Sequence, residues 1–449
     1  MKKWFLIPLV FVWAGCSWLF PKSELAIDVD IEKHTLSNGL HVFLIPDPSA
    51  SMVTYQTWVK VGSVDEKRGH TGIAHLFEHL MFKGTEKFGS RAFFKLLEAK
   101  GASVNAYTTR DYTQYYVDLA PDLLETVIEM EADRLQNLTV SEEEFQTERN
   151  VVLEERQLRV ENVPSAKVDE ALWLLSYGVH PYRNPVIGYP EDLFSIHLKD
   201  LKSFFKMYYQ PGNVAVVVSG AIDTDKTLEW IEKYYEPIPG KKLGKRKIPS
   251  EPMQESERRL KMEESLATPL LARGYRAPRA GKKEAYALDL LALILFDGRN
   301  SRAHRALVEE RSMCLAVSAN SFTPTFEGMF SVYATLRDGV QVKTVEEQLD
   351  SLIEQVQSEG VSEEELSIAK RKTQVGFIEG ISSPHGLAQF VGVVWAVLGD
   401  VDLMHSEVER YESVSREDIQ KVAKKYLQPN GRSTVVAYPK NHAPKGVQF

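Results

Sequence analysis

Residues 140–145 read Val-Ser-Glu-Glu-Glu-Phe, and residues 361–366, 221 positions further along the chain, read Val-Ser-Glu-Glu-Glu-Leu. A second pair of segments matches at an offset of 218, because Tyr-Tyr-Gln-Pro at residues 208–211 returns as Tyr-Leu-Gln-Pro at residues 426–429. The alternative explanation is chance similarity between two acidic helix starts, which would explain the first match but not the second. Two matches in the same order and at nearly the same offset predict two homologous domains of similar size.

Helix and strand patterns alternate within each half of the chain. Runs of β-branched and aromatic residues bounded by Gly or Pro predict strands, and apolar residues at helical spacing predict helices. In the first half these patterns predict strands at Gly39–Pro46, Val53–Gly62 and Val214–Ser219, a hairpin at Ser103–Ala120, and helices at Gly72–Met81, Arg91–Ala99, Pro121–Gln136, Glu142–Val160 and Asp200–Tyr209. The sequence therefore predicts an α+β fold, with helices covering a mostly antiparallel sheet in each domain.

A stretch rich in Pro, Gly and Lys between the matching halves predicts an interdomain linker. We assign residues 30–238 to an N-terminal domain, 239–254 to the linker and 255–445 to a homologous C-terminal domain. The length of 449 residues agrees with this division, because single hydrophobic cores stop growing at roughly 250–300 residues.

The composition is that of an ordinary globular protein, with 43% hydrophobic and 26% charged residues. The net charge of −8 argues against nucleic acid as a partner, because no basic excess is available to neutralise phosphates. The chain has two cysteines, Cys16 and Cys314, in very different contexts, which excludes a disulfide framework.

The N-terminus resembles an export signal. Two lysines precede a short apolar run, Trp4–Trp13, which suits a secretory signal and is too short to span a bilayer as a stable helix. Ala-Gly-Cys at residues 14–16 resembles the lipobox of bacterial lipoproteins, in which the cysteine is acylated and becomes the new N-terminus. We expect residues 1–16 to be a signal peptide with a lipobox and Cys16 to carry the lipid.

An ordinary cleaved signal peptide with an incidental cysteine is the alternative. The lipobox interpretation predicts an exported protein of the bacterial cell envelope, anchored by lipid to the inner or outer membrane and facing the periplasm. Several acyl chains on one cysteine would anchor the chain stably, because each buried methylene contributes about 0.8 kcal/mol.

The run His75–His79, His-Leu-Phe-Glu-His, carries the chemistry. On a helix, positions i and i+4 share a face, so the imidazoles of His75 and His79 can bind one ion. Glu78 lies beside that face, where its carboxylate can hold a water molecule and take its proton. H-x-x-E-H is the inverted counterpart of the zincin motif, and it predicts one zinc ion per chain. The alternative is an amphipathic helix that carries these residues without a metal.

Two histidines leave the site incomplete, and residues 148–155 of a predicted helix offer a third ligand. Glu148 and Glu155 are seven residues apart, close to two helical turns, so both project from one side. The alternative is that Glu155 only pairs with Arg159 at i+4 on a solvated face. Spacing alone leaves both Glu154 and Glu155 open as the ligand.

Several short motifs in a fixed order resemble the pitrilysin and mitochondrial processing peptidase family of zinc metallopeptidases. They are His75–His79, Leu-Met-Phe-Lys-Gly-Thr at residues 80–85, Asn-Ala-Tyr-Thr at residues 105–108, and Glu148 ahead of Glu155. The resemblance extends from about Leu36 to Tyr438 and includes the duplicated domains. It implies a zinc metalloendopeptidase in which Glu155 is the third ligand and Glu148 a neighbouring carboxylate that tunes the site.

The resemblance also implies how a peptide substrate binds. Asn105 and Ala106 would lie on an exposed strand beside the zinc, and a peptide or unfolded segment would add to that strand through main-chain hydrogen bonds. From the residues alone, Ser103–Thr109 is a predicted strand, and its position at a sheet edge is an expectation.

The second domain departs from the family pattern. Family members that bind substrate usually carry an Arg and a Tyr seven residues apart there, and the matching positions in this chain are Val308 and Leu315. The zinc motif is not repeated either, because Leu-Phe-Asp-Gly-Arg at residues 295–299 stands opposite His75–His79, and Gly376 stands opposite the third ligand. The chain therefore resembles the zinc-bearing half of a heterodimer whose paralogous, zinc-free subunit supplies the Arg and Tyr. A homodimer would lack this pair twice.

Two other functions compete with catalysis. The chain could be a structural subunit, as in family members that have lost activity, or a lipoprotein that only captures peptides. The presence of His75, Glu78, His79 and Glu155 together favours the enzyme, because a scaffold does not need all four.

Overall fold

The computed structural model describes residues 29–89, 95, 97–240 and 243–440. Its strands are β1 Glu32–Thr35, β2 His41–Pro46, β3 Val53–Val59, β4 Ser103–Thr108, β5 Thr113–Leu119, β6 Val214–Gly220, β7 Arg258–Glu264, β8 Leu270–Ala277, β9 Cys314–Phe322, β10 Gly328–Leu336 and β11 Arg432–Pro439. Its principal helices are α1 Ile73–Leu80, α2 Leu124–Asn137, α3 Glu142–Arg156, α4 Pro164–Ser176, α5 Pro190–Ser195, α6 Leu198–Tyr208, α7 Thr224–Tyr235, α8 Lys283–Leu295, α9 Val342–Glu359, α10 Glu363–Gly380, α11 Pro384–Val393, α12 Glu407–Glu412 and α13 Arg416–Tyr426.

Two mixed sheets, one in each half of the chain, organise these elements. The first has the order β1-β2-β6-β3-β5-β4 and the second β7-β11-β8-β10-β9. Each sheet contains one parallel pair, β2 with β6 and β11 with β7, and the other pairs are antiparallel. The predicted α+β fold with two mostly antiparallel sheets covered by helices is confirmed. The exact domain boundaries stay a prediction.

The repeated Val-Ser-Glu-Glu-Glu sequence starts α3 in one half and α10 in the other. At α3 the Ser141 hydroxyl accepts from the Glu144 amide at 3.2 Å, and the Glu144 carboxylate accepts from the Ser141 amide at 2.9 Å. Ser362 and Glu365 form the same reciprocal pair at α10, with distances of 3.1 and 2.8 Å. Such a capping box satisfies two backbone N–H groups at the helix start, so the repeat fixes where α3 begins.

The two halves exchange helices across their interface. Helix α4, from the first half, packs on β7, β8 and β11 of the second sheet, and α11, from the second half, packs on β3 and β6 of the first sheet. The contact is close, since a Cβ atom added to Gly392 of α11 would lie 2.0 Å from the Trp58 indole on β3. Each sheet is therefore covered in part by a helix from the other half of the chain.

Two predictions fall largely or wholly outside the described residues. Cys16 is one, and most of the helix predicted at Arg91–Ala99 is the other. In the described ranges no single helix is long and apolar enough to cross a membrane, whereas α10 and the helical run Pro384–Leu398 pass that test as a pair bent by 113°.

Candidate metal centre and peptide cleft

Helix α1 presents both histidines of the motif. Its first amides are held by the buried Glu66 carboxylate, which accepts from the N–H groups of Gly72 and Ala74, both at 3.0 Å. Gly72 adopts a φ of 86°, and a Cβ there would lie 2.6 Å from a backbone carbonyl oxygen, so this turn requires glycine. The apolar face of α1 is buried, and the rings of His75 and His79 lie side by side with centroids 4.8 Å apart.

The third group comes from α3. Glu155 Oε2 lies 3.6 Å from His75 Nε2 and 3.4 Å from His79 Nε2, and the candidate ligand atoms of these three residues all lie within 4.8 Å of one another. Glu154 is exposed to solvent, so the phase of α3 directs Glu155 toward the histidines. Among the described residues this is the one group of three side chains arranged to hold a metal.

The hydrogen bonding and protonation of the three candidate ligands are suited to zinc binding. Glu155 Oε2 is buried and has no hydrogen-bond partner, while the other oxygen pairs with Arg159 at 2.9 Å. The i+4 ion pair considered from the sequence is therefore present and leaves the second oxygen directed at the histidines. Burial lowers the pKa of His75 to about 3, so its imidazole is neutral and can donate a lone pair. Two imidazole nitrogens and one carboxylate oxygen are the donor types of a catalytic zinc site, in which water takes the fourth position.

Glu148 contacts the back of His79. Nδ1 of His79 lies 2.9 Å from Glu148 Oε1, which leaves Nε2 of that ring facing Glu155. The other oxygen of Glu148 pairs with Lys83, a residue from the stretch after the motif to which the sequence analysis gave no role. Burial disfavours the charged form of both Glu148 and His79, but the hydrogen bond between them and the charges around the pair together outweigh burial. The pKa of His79 is therefore raised, and the pKa of Glu148, which Lys83 also favours as an anion, is lowered. Such a partner fixes the ring orientation and increases ligand basicity.

Glu78 is buried beside the histidines and is held from β4. The hydroxyl of Thr108 donates to Glu78 Oε2 at 2.6 Å. Burial raises the pKa of Glu78, which brings this carboxyl closer to the range useful for a general base. Sequence reasoning missed Thr108 as a positioning group, although the residue closes the Asn-Ala-Tyr-Thr motif.

Strand β4 lies at the edge of the first sheet, with β5 as its neighbour. Asn105 is exposed and Ala106 partly buried. The Ala106 amide donates to Asn105 Oδ1 at 2.8 Å, so this N–H is directed toward a side chain rather than toward β5. A peptide carbonyl could replace that contact, as strand addition at an open edge requires.

A cleft of about 720 Å³ joins these features. His75, Glu78 and Glu155 line it together with Asn105 and Ala106 of β4. The structure thus brings together the residues that the sequence assigned to metal binding, proton transfer and peptide binding.

The second domain has a different surface at the corresponding positions. Leu295 and Phe296 are buried in its core, and Gly376 lies exposed on α10. Val308 packs against the same core, whereas Leu315 is 50% exposed. Neither side chain offers a polar group to a substrate.

Comparison with known proteins agrees with the motifs and the duplication. Residues 41–189 match the family model described as insulinase (peptidase family M16), and residues 195–373 match the model described as the peptidase M16 inactive domain. The chain belongs to the M16 peptidase family. The resemblance to the pitrilysin family is thereby confirmed. The segment that matches the inactive-domain model lies mostly in the second domain, where the described residues contain no group of three side chains arranged to hold a metal.

Relatives of this M16 chain are named zinc proteases. Zinc protease PqqE of Helicobacter pylori is 28% identical over 91% of this chain and 93% of its own length. Zinc protease YmxG of Bacillus subtilis is 26% identical over 88% of this chain and 95% of its own length. A crystal structure of a protease from Helicobacter pylori has a TM-score of 0.85 at 28% identity and covers 92% of this chain and 100% of that chain. A peptidase M16 inactive domain from Pseudomonas fluorescens, at 17% identity and a TM-score of 0.82, shares the fold.

Proposed function

We propose that this M16 chain is a zinc-dependent endopeptidase that hydrolyses peptides or unfolded protein segments. One observation carries the proposal: a buried carboxylate oxygen of Glu155 without a hydrogen-bond partner lies 3.4–3.6 Å from the Nε2 atoms of His75 and His79, and the buried Glu78 lies beside them. The zinc protease names of the relatives support the same chemistry.

Each side chain has a defined task in this proposal. His75, His79 and Glu155 would hold zinc, which when bound polarises the scissile carbonyl and lowers the pKa of water. Glu78 takes the proton of the attacking water and afterwards delivers it to the leaving amine. The Thr108 hydroxyl holds one oxygen of Glu78, so the other is free to face the water.

The peptide would lie along the open edge of β4. Main-chain groups of Asn105 and Ala106 bind the substrate backbone, which accounts for acceptance of varied sequences, because these bonds do not depend on substrate side chains. Folded proteins present few extended segments that can add to such an edge, so unfolded segments are the expected substrates.

The test is hydrolysis of a quenched fluorogenic peptide by the purified chain, with and without a chelator. We expect chelation to abolish turnover and stoichiometric zinc to restore it, while magnesium does not, because the donor set contains two imidazoles. A chain that binds the peptide and zinc but never hydrolyses the peptide, even with a second M16 subunit added, would support the alternative function, a peptide-capturing or structural subunit.

We also propose that a paralogous, zinc-free M16 subunit completes the active site. The support is the absence of a polar side chain at both Val308 and Leu315. Such a subunit would supply the Arg and Tyr that grip the substrate from the far side of the cleft.

The proposed location is the bacterial cell envelope, with Cys16 as the lipid anchor, and its support is the N-terminal sequence. A Cys16→Ser variant is expected to move from the membrane fraction to the soluble fraction or to remain as uncleaved precursor. A matched Ser17→Ala variant should stay with the membrane. Wild-type protein that fractionates as fully soluble would favour the ordinary signal peptide instead.

A further inference from the structure

The cleft beside the candidate metal centre has a wall that carries two arginine side chains. Arg110 lies in the turn after β4, and Arg183 lies in the segment before α5; both line the same cleft as His75 and Glu78. We propose that Arg110 and Arg183 form a subsite that selects an acidic side chain of the peptide substrate. This inference rests on the proposed peptidase function and names the substrate class that the cleft prefers.

Arg110 is held in the cleft wall by an aromatic ring and a backbone carbonyl rather than by an ion pair with a carboxylate of the described residues. Its guanidinium carbon lies 3.7 Å from the centroid of the Trp173 ring, and its Nε donates to the Tyr182 carbonyl at 3.3 Å. In the described part of the chain, its two terminal amino groups form no hydrogen bond and no ion pair. Arginine remains charged in proteins and presents a planar fork that matches a carboxylate. The free edge of this fork is therefore suited to an acidic ligand group.

Arg183 adds a second cation to the lining of the same cleft. Its Nη1 donates to the Gly178 carbonyl at 2.6 Å, and it has no carboxylate partner among the described residues. Tyr182 links the two arginines, because it directly precedes Arg183 in the chain and its backbone carbonyl accepts from Nε of Arg110. The Tyr182 hydroxyl donates to Asp111 at 2.5 Å. Tyr182 is fully buried, so this linkage gives the pair a rigid base.

The carboxylates of the same wall already have partners within the chain. Glu170 accepts from both terminal nitrogens of Arg156, at 2.9 and 3.0 Å. Asp169 accepts from the Tyr333 hydroxyl and, in the described part of the chain, forms no ion pair with Arg110. The carboxylates of the wall therefore have partners within the chain, whereas the terminal amino groups of Arg110 and the other donors of Arg183 remain for a ligand.

The position of the subsite follows from β4. Thr108, which holds Glu78, precedes Arg110 by two residues, so a peptide added to β4 passes the metal centre shortly before it reaches the arginines. Each strand residue advances about 3.3 Å. The selected acidic residue therefore lies within a few residues of the scissile bond, and on one side of it only.

The test uses fluorogenic peptides that are identical except for one residue, Glu, Gln or Lys, placed in turn at each of three positions on either side of the scissile bond. We expect kcat/KM for Glu to exceed that for Gln by roughly 10- to 100-fold at one position, the range of a charge-assisted hydrogen bond. Arg183→Gln should reduce this ratio toward one, and Arg183→Glu should shift the preference to Lys. Arg371→Gln, an exposed arginine on α10 without an ion pair in the described residues, is the matched control and should keep the ratio.

Two results would overturn the subsite. One is a wild-type enzyme that hydrolyses the Glu and Gln peptides equally at every position, and the other is an Arg183→Glu variant with an unchanged preference. If no peptide is hydrolysed even with a partner subunit, the proposed function fails instead. Fluorescence anisotropy of the same peptides on the zinc-loaded Glu78→Gln chain still measures the preference in that case.

Discussion

Replacing Glu78 with glutamine is expected to lower kcat/KM by roughly 10²–10⁴-fold, the contribution typical of one general base, while zinc stays bound. Glutamine has nearly the same shape and can still accept the Thr108 hydrogen bond through its amide oxygen. It cannot take a proton from water. Glu78 is separate from the three candidate ligands, so metal content and turnover should respond differently.

The measurement combines a fluorogenic peptide assay with metal analysis of the same preparation. Glu154→Gln is the matched control, because Glu154 is exposed on α3 next to a candidate ligand. This substitution removes the same charge from the chain as Glu78→Gln does. This control should keep both zinc and turnover. A Glu78→Gln enzyme within tenfold of wild type would rule out the proton-transfer role of this carboxylate.

The second large effect concerns the partner subunit. The purified chain alone is expected to bind zinc but to hydrolyse unfolded peptides slowly, and a paralogous subunit carrying the Arg and Tyr should raise turnover by about 100-fold or more. The reason is that a polar group opposite β4 stabilises the developing negative charge and fixes the register of the peptide. Loss of one such donor typically costs about 10²–10³-fold.

Titrating the partner into a fixed amount of this chain, with a fluorogenic peptide as reporter, tests the expectation. A Val308→Arg, Leu315→Tyr double variant offers partial rescue without the partner. The structure makes the two changes unequal, because Leu315 is 50% exposed and tolerates a larger polar ring, whereas Val308 packs against the second core. Full turnover by the unmodified chain, unaffected by any partner, would show that the missing pair is dispensable.

Local sequence predicted the parts of this molecule that depend on short-range order. The spacing of His75 and His79 fixed their common helical face, and the Val-Ser-Glu-Glu-Glu repeat marked two helix starts that are both closed by capping boxes. Hairpin chemistry predicted the pairing of β4 with β5. In each case the determining contacts span only a few residues.

Contacts between distant segments were not predictable in this way. Glu154 and Glu155 differ by one step of helical rotation, and only the packing of α3 beside α1 decides which of them faces the histidines. The Thr108–Glu78 contact joins residues 30 positions apart. The exchange of α4 and α11 between the sheets depends on the relative placement of two domains, which no local pattern encodes.

The sequence predicted that β4 is a strand, but it did not determine that β4 lies at the edge of the sheet. The strand order places β4 at the end of the first sheet, with Asn105 exposed. Sheet order arises from pairings such as β3 with β6, which join segments separated by more than half of the first domain. A pattern of alternating residues predicts a strand but does not rank it within a sheet.

The most direct test of the metal centre is the zinc content of purified variants, measured by inductively coupled plasma mass spectrometry after dialysis. Wild type, Glu78→Gln and Glu154→Ala are expected to contain one zinc ion per chain, whereas His75→Ala, His79→Ala and Glu155→Ala should contain almost none. Circular dichroism of each variant confirms that the fold persists. A Glu155→Ala chain that keeps its zinc while Glu154→Ala loses it, or a wild-type chain that binds none, would contradict the assignment.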